Sequence, residues 1–135
     1  MAGFVIVDHT ADWAIRVWGR DLGELLRQAA EGMNHLMVGG DTAVSPTLTR
    51  QLTLDADDAE TLLVDWLSEL AYWAEMEQVV FPEFELTAVS PTHLEATLHG
   101  GPVTELVKHI KAVTYHNLAI VPTHRGLETT IVFDV

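Results

Sequence analysis

The chain has 135 residues, of which 48% are hydrophobic and 20% are charged, a balance typical of one globular domain and too apolar for a disordered chain. Twenty acidic residues against seven basic ones give a formal net charge of −13, which would repel a phosphate backbone, so direct nucleic-acid binding is not expected. The absence of cysteine excludes disulfides, thiol nucleophiles and thiolate metal sites, and it leaves oxygen and imidazole as the ligand types for a metal.

The first apolar run is too short to be a targeting or membrane segment. Residues 4–7 are followed at once by Asp8 and have no basic flank, unlike the start of a signal peptide. The other apolar runs are also short, whereas a membrane span needs about 20 apolar residues. We therefore expect a cytoplasmic protein without a membrane span, in which residues 1–135 form a single domain.

Two strands and a helix are predicted before residue 41. The apolar run 4–7 and the alternating run 13–18 are typical of strands, and a polar link joins them. After the second strand, Asp21 is a candidate N-cap for a helix whose apolar residues recur at intervals of three and four. Gly39-Gly40 is expected to end this helix, because glycine adopts the left-handed conformation of a helix C-terminus at little cost.

A third strand and a second amphipathic helix are predicted in the middle of the chain. Leucines alternate with polar residues between Thr47 and Asp55, and Arg50 is the exception on the apolar face of this strand. Asp57 with Glu60 is an acidic counterpart of the capping box, so we expect the second helix to begin there.

The second half of the chain predicts short strands. Strands are expected at 79–81 and 84–89, on either side of Pro82, which has no amide hydrogen and therefore favours a sheet edge or a bulge. The next strand is expected to break at Gly100-Gly101-Pro102. Three further strands are predicted at 111–116, 118–121 and 127–134, with a turn at 122–126.

These elements together predict an α+β fold. Two amphipathic helices are combined with about eight short strands, and the strands are adjacent in sequence instead of alternating with helices. We expect a two-layer sandwich in which the two helices pack on a mixed, largely antiparallel sheet.

Three segments resemble the archease family: His9-Thr10-Ala11-Asp12, the Lys-Ala-Val-Thr-Tyr-His run at 111–116, and Val132-Phe133-Asp134-Val135. Their order, their distances from the termini and the order of helices and strands all fit that family. The resemblance implies an accessory protein that is not itself an enzyme. Its partner would be the RtcB-type RNA ligase of tRNA splicing, which joins 3′-phosphate or 2′,3′-cyclic phosphate ends of RNA to a 5′-hydroxyl, and it would promote ligase guanylylation and multiple turnover.

The resemblance also implies a bound divalent metal ion. Its ligands would be the carboxylates of Asp12 and Asp134 and a main-chain oxygen of Val135, and such oxygen ligands suit Ca²⁺, Mg²⁺ or Mn²⁺. Support of the site or contact with the ligase is implied for three more motif residues, His9, Lys111 and His116. From spacing alone, Asp12 could instead satisfy backbone donors in a turn, and Asp134 could lie in a frayed tail.

Two other functions stay open from the sequence. A free-standing metal-dependent phosphoesterase would use Asp12 and Asp134 as ligands and His9 or His116 as general base. Against it, the sequence has no serine elbow, phosphate-binding glycine loop or paired-histidine helix. A general chaperone-like binder is the other alternative, although neither predicted helix has an obvious unpaired apolar face.

Overall fold

The computed structural model describes residues 2–8, 12–40 and 44–135, except for the side chain of Asp8. Two helices and eight strands follow one another in the order β1 (Gly3–Asp8), β2 (Trp13–Gly19), α1 (Leu22–Val38), β3 (Leu48–Asp55), α2 (Ala59–Glu77), β4 (Val79–Ser90), β5 (His93–Pro102), β6 (Ala112–Val113), β7 (Val121–Thr123) and β8 (Gly126–Asp134). This combination confirms the predicted α+β class and strand number. Within the described ranges, neither helix is long and apolar enough to span a bilayer.

The strands form two sheets. One sheet has the order β1-β2-β8-β6, with β7 pairing with another part of β8. The other has the order β3-β5-β4. Both are antiparallel in every strand pair that the described residues form. The predicted strands are therefore divided between two sheets instead of sharing one.

Both helices contact both sheets. Helix α1 packs against β1, β2 and β8 of the larger sheet and against β4 of the smaller one, whereas α2 packs against β3, β4, β5 and β6. The buried side chains form one continuous hydrophobic cluster. Its largest member is Trp66 of α2, which has no exposed surface and whose indole N–H donates to the carbonyl of Leu26 in α1 at 2.9 Å.

The ends of α1 are those that the sequence predicts. The Asp21 carboxylate accepts from the N–H of Glu24 at 2.9 Å, as an N-cap does. At the other end Gly39 has a φ of 80°, and its N–H donates to the carbonyl of His35. The left-handed glycine thus satisfies a helix carbonyl that would otherwise lack a partner.

Helix α2 begins one residue later than predicted. Its N-cap is Asp58, whose carboxylate accepts from the N–H of Thr61 at 2.7 Å, and Asp57 lies outside the helix. The prediction of a capping box is wrong because Glu60 makes a tertiary contact instead. Glu60 does not bond back to its own helix end, because its carboxylate accepts from the N–H of Ile120 at 3.0 Å.

Arg50, the polar exception on the apolar face of β3, lies against aromatic rings. Its guanidinium is 5.1 Å from the centroid of Trp73 and 5.7 Å from that of Phe81. The same group donates two hydrogen bonds to the carboxylate of Glu77, at 2.6 and 3.2 Å. These hydrogen bonds hold the pKa of Glu77 below its ordinary value. The Arg50 side chain therefore covers the rings of Trp73 and Phe81 while its charge is paired with Glu77.

The smaller sheet confirms one strand prediction and corrects another. Pro82 lies in β4, an edge strand, beside a register shift between Val80 and Glu83, as predicted for an edge or bulge. The glycines expected to break the next strand instead belong to β5. A Cβ on Gly100 would collide with the carbonyl oxygen of Val80 and would lie 2.7 Å from the Cα of Phe81. Glycine is therefore required there by close approach of two backbones.

The late strands are shorter than the sequence suggests. Only Ala112–Val113 of the predicted strand 111–116 pairs as β6. The Thr114 hydroxyl donates to the carbonyl of Val132 at 3.0 Å, and the chain then turns at Asn117, which has a φ of 52°. Because of this turn, the next strand is Val121–Thr123 and not 118–121.

Thr129 in β8 leads to a prediction on stability. It is 4% exposed, it lies opposite the fully buried Val17, and its hydroxyl has no hydrogen-bond partner among the described residues. A buried unpaired hydroxyl is destabilising, and valine has nearly the same shape without it. Thr129→Val should therefore raise the free energy of unfolding, measured in urea, by about 1 kcal/mol.

The neighbouring half-buried Thr130 provides the matched control. Thr130→Val should change the free energy of unfolding by less than about 0.5 kcal/mol, as is usual away from such features. A loss of stability in Thr129→Val would show that the hydroxyl is satisfied in solution.

His93 of β5 contacts two carboxylates on the smaller sheet, that of Asp55 in β3 and that of Glu95 in its own strand. Its Nδ1 is 2.7 Å from the Oδ1 of Asp55, and its Nε2 is 2.8 Å from the Oε2 of Glu95. A neutral imidazole has only one N–H, so both contacts are hydrogen bonds only when the ring carries two protons. The hydrogen bonds with Glu95 and Asp55 accordingly raise the pKa of His93 above its ordinary value.

The raised pKa of His93 predicts a pH-dependent contribution to stability. It is fully present below the unfolded pKa of about 6.5 and is lost as the pH rises through the higher pKa of the folded state. His93→Gln should therefore lower the Tm more at about pH 5.5 than at about pH 8.5. The exposed His124 is the control, and His124→Gln should leave the Tm unchanged at both values. An equal loss at both pH values in His93→Gln would contradict the prediction.

Candidate functional site

The pairing of β2 with β8 brings two of the predicted metal ligands to one end of the larger sheet. Trp13 lies opposite Phe133 in the antiparallel register. Asp12 precedes Trp13 and Asp134 follows Phe133, so one further step of this register places Asp12 opposite Asp134. Residues that face each other in this way have Cβ atoms about 4.5–5.5 Å apart and project from the same side of a sheet.

The two aspartates lie on the side of the sheet that faces away from the core. Successive side chains in a strand point to opposite faces, and Phe133 has no exposed surface. Asp134 accordingly is exposed, while Asp12 is half-buried. Both carboxylates can therefore be reached by an ion from solvent.

Strand β6 borders the same position from the other side. Ala112 lies opposite Asp134 in the register, and the N–H of Lys111 donates to the main-chain carbonyl of Asp134 at 2.7 Å. Val135, the third predicted ligand, is half-buried, and its side chain packs against the hydrophobic cluster.

The resemblance also implies roles for His116, Lys111 and His9. His116 is exposed in the turn after β6, and within the described ranges its polar contacts are with Thr114 and Asn117, each at 3.3 Å. The Lys111 side chain is exposed and lines a groove described below. His9 lies outside the described residues, so its role stays a prediction.

The chemistry of these ligands fits a hard divalent cation. Two facing carboxylates repel each other, and a cation between them would remove the conflict. No group of three or more His, Asp or Glu side chains is arranged for a metal ion in the part of the chain that the structure describes. The resemblance implies that a main-chain oxygen of Val135 completes the ligand set, and this stays a prediction.

Lys108 contacts Trp13, the residue that follows Asp12 in the chain. Its ammonium nitrogen lies 3.9 Å from the ring centroid of Trp13. Its N–H and that of Val107 both donate to the carbonyl of Met37, so the segment also caps the end of α1. One feature of the sequence could have drawn attention to Lys108: the two lysines of the chain, Lys108 and Lys111, lie close together.

Known proteins are similar to this chain over nearly its whole length. The Archease protein family matches residues 4–135. A protein archease from Methanosarcina barkeri is 33% identical over 142 residues, which cover 96% of this chain and 93% of that relative. A protein archease from Saccharolobus islandicus is 36% identical over 141 residues, which cover 100% of both chains.

Two solved structures share the fold. The solution structure of protein 1598 from Methanobacterium thermoautotrophicum has a TM-score of 0.78 and 27% identity, and the match covers 98% of this chain and 99% of that one. The crystal structure of a Thermotoga maritima archease, described as a possible chaperone, has a TM-score of 0.67 over 96% of this chain and 94% of that one. At 22% identity, the second likeness shows the fold alone.

Proposed function

Because this chain belongs to the archease family, we propose that it is a non-catalytic accessory protein that activates an RtcB-type RNA ligase of tRNA splicing. It promotes guanylylation of the ligase and multiple turnover, and it acts with a divalent metal ion held by Asp12, Asp134 and Val135. The register between β2 and β8 is the observation that supports the proposal, because one further step beyond Trp13 and Phe133 would set the carboxylates of Asp12 and Asp134 opposite each other.

The charge of the chain supports an indirect role in RNA chemistry. A net charge of −13 disfavours contact with RNA phosphates, so the protein reaches RNA through the ligase. A bound divalent cation supplies local positive charge, which can stabilise phosphate oxygens. Asp12, Asp134 and the backbone of Val135 would hold that ion next to β6, whose Ala112 lies opposite Asp134.

A guanylylation assay tests the proposal. Substoichiometric amounts of the wild-type protein should accelerate guanylylation of a matching RtcB-type ligase, and Asp12→Ala or Asp134→Ala should abolish the acceleration. The exposed Asp57 is outside the site, so Asp57→Ala should activate like the wild type. Unchanged rates with the wild-type protein would overturn the proposal. Phosphoester turnover by the isolated protein that stops with a chelator would instead favour the phosphoesterase.

A further inference from the structure

A groove of about 370 Å³ lies between α2 and the segment Ile110–Val113. The side chains of Tyr72 and Met76 form part of its α2 wall, and they are 56% and 65% exposed. Exposure of two large apolar side chains in one concave surface is typical of a protein interaction site. Aromatic and methionine side chains are also enriched in interfaces relative to the rest of the surface.

The groove is next to the candidate metal site because both use β6. Lys111 and Ala112 line the groove, and the same two residues contact the backbone of Asp134. A partner bound in the groove would therefore touch the strand that borders Asp134.

The charge on α2 selects the kind of partner. The helix contains five acidic residues and no lysine, arginine or histidine. Asp65, Glu69, Tyr72 and Met76 are spaced so that they form one row along the helix. Within the described ranges, neither Asp65 nor Glu69 has an ionic partner. The row thus runs from two unneutralised carboxylates beside the groove to the two exposed apolar side chains in its wall. Of the charged residues that line the groove itself, Glu75 lies 2.8 Å from His109, and Lys111 is a cation.

We infer that a segment of the partner ligase docks along this row of α2, with an apolar side chain in the groove between Tyr72 and Met76 and positive charge against Asp65 and Glu69 beside the groove. The inference rests on the proposed function and adds the docking surface to it. RNA, or a second copy of this chain with its own charge of −13, would bring more negative charge against α2 and is therefore disfavoured.

Binding of the full chain to a matching RtcB-type ligase tests the inference. Tyr72→Ala combined with Met76→Ala should raise the Kd by about tenfold or more, since buried aromatic anchors carry much of the energy of an interface. Glu69→Lys should slow association and reduce its dependence on salt. The controls carry matched changes on exposed residues outside both the groove and the acidic row, Val121→Ala and Glu83→Lys, and should bind like the wild type.

Activation assays separate this inference from the proposed function. High concentrations of the groove variants should restore full guanylylation, because only docking is weakened, whereas Asp134→Ala should stay inactive at any concentration. If the wild type activates the ligase but the groove variants match its Kd, the groove inference is overturned and the proposed function stands. If the wild type does not activate, the proposed function itself fails. A groove variant that loses self-association or RNA binding with unchanged ligase affinity would also overturn the inference.

Discussion

Replacement of Asp134 by asparagine should weaken binding of Mn²⁺ by at least about tenfold, because one of two charged ligands becomes neutral. In the wild type, Mn²⁺ at about 100 times its Kd should stabilise the fold by about 2.7 kcal/mol, and at the same Mn²⁺ concentration Asp134→Asn should lose about half of this gain or more. Isothermal titration with Mn²⁺ alone and thermal unfolding with and without it measure both effects.

The metal-free protein provides the internal check on that result. Without a cation, Asp12 and Asp134 repel each other, so Asp134→Asn should be as stable as the wild type or slightly more stable. Its deficit should appear only when Mn²⁺ is present, and Asp57→Asn should show no deficit in either condition. A wild-type Tm that does not move with Mn²⁺, or an equal rise in Asp134→Asn, would refute a metal site at this position.

Replacement of Phe133 by alanine should lower the free energy of unfolding in urea by about 3–5 kcal/mol. Phe133 has no exposed surface and lies between Trp13 of β2 and Val113 of β6. Removing the ring leaves a cavity where three strands meet. Because Phe133 also sets the register beside Asp134, the variant should bind Mn²⁺ more weakly even though both carboxylates remain.

Two variants of the same strand show whether the effect is specific. Phe133→Leu keeps most of the apolar volume, so its loss of stability should be clearly smaller. Val132 is half-buried on the opposite face of β8, and Val132→Ala should cost less than Phe133→Ala. A loss below about 1 kcal/mol in Phe133→Ala would mean that the site tolerates collapse and that the ring does not hold the register.

Helix positions follow from the sequence where the deciding contacts are local. Asp21 and Gly39 act within one turn of α1, so their neighbours in sequence suffice to predict them. The start of α2 could not be placed to the residue, because Asp57 and Asp58 are both good N-caps and the choice depends on tertiary packing. The contact between Glu60 and Ile120, distant in the chain, has no local signal.

Strand pairing is less predictable because it is not local. Alternating side chains indicate that Leu48–Asp55 is a strand, but they do not state which strands it joins, and the division into two sheets depends on that choice. The glycine at position 100 carried a real signal that pointed to the wrong structure. Turns and close backbone contacts both select glycine, and only the position of Val80 distinguishes them.

Part of the candidate site could be predicted from the sequence, and part depends on contacts between distant residues. The lack of cysteine and the excess of acid predict a hard oxygen site if any metal binds. The choice of Asp12 and Asp134 came from the resemblance to archeases, since nothing in their spacing links them. The register of β2 with β8 supplies a physical reason for that choice. The contact of Lys108 with Trp13 could not be predicted from the sequence, because it depends on how the segment between β5 and β6 folds back on β2.

The pairing of β2 with β8 also bears on folding kinetics. Trp13 and Phe133 close a loop of about 120 residues, and loops of this length carry a large entropic cost that other contacts must offset first. This pairing is therefore expected to form late, after the helices and the smaller sheet. The two carboxylates would then meet only in a chain that is already folded, so fragments or partly folded forms would bind no cation between them.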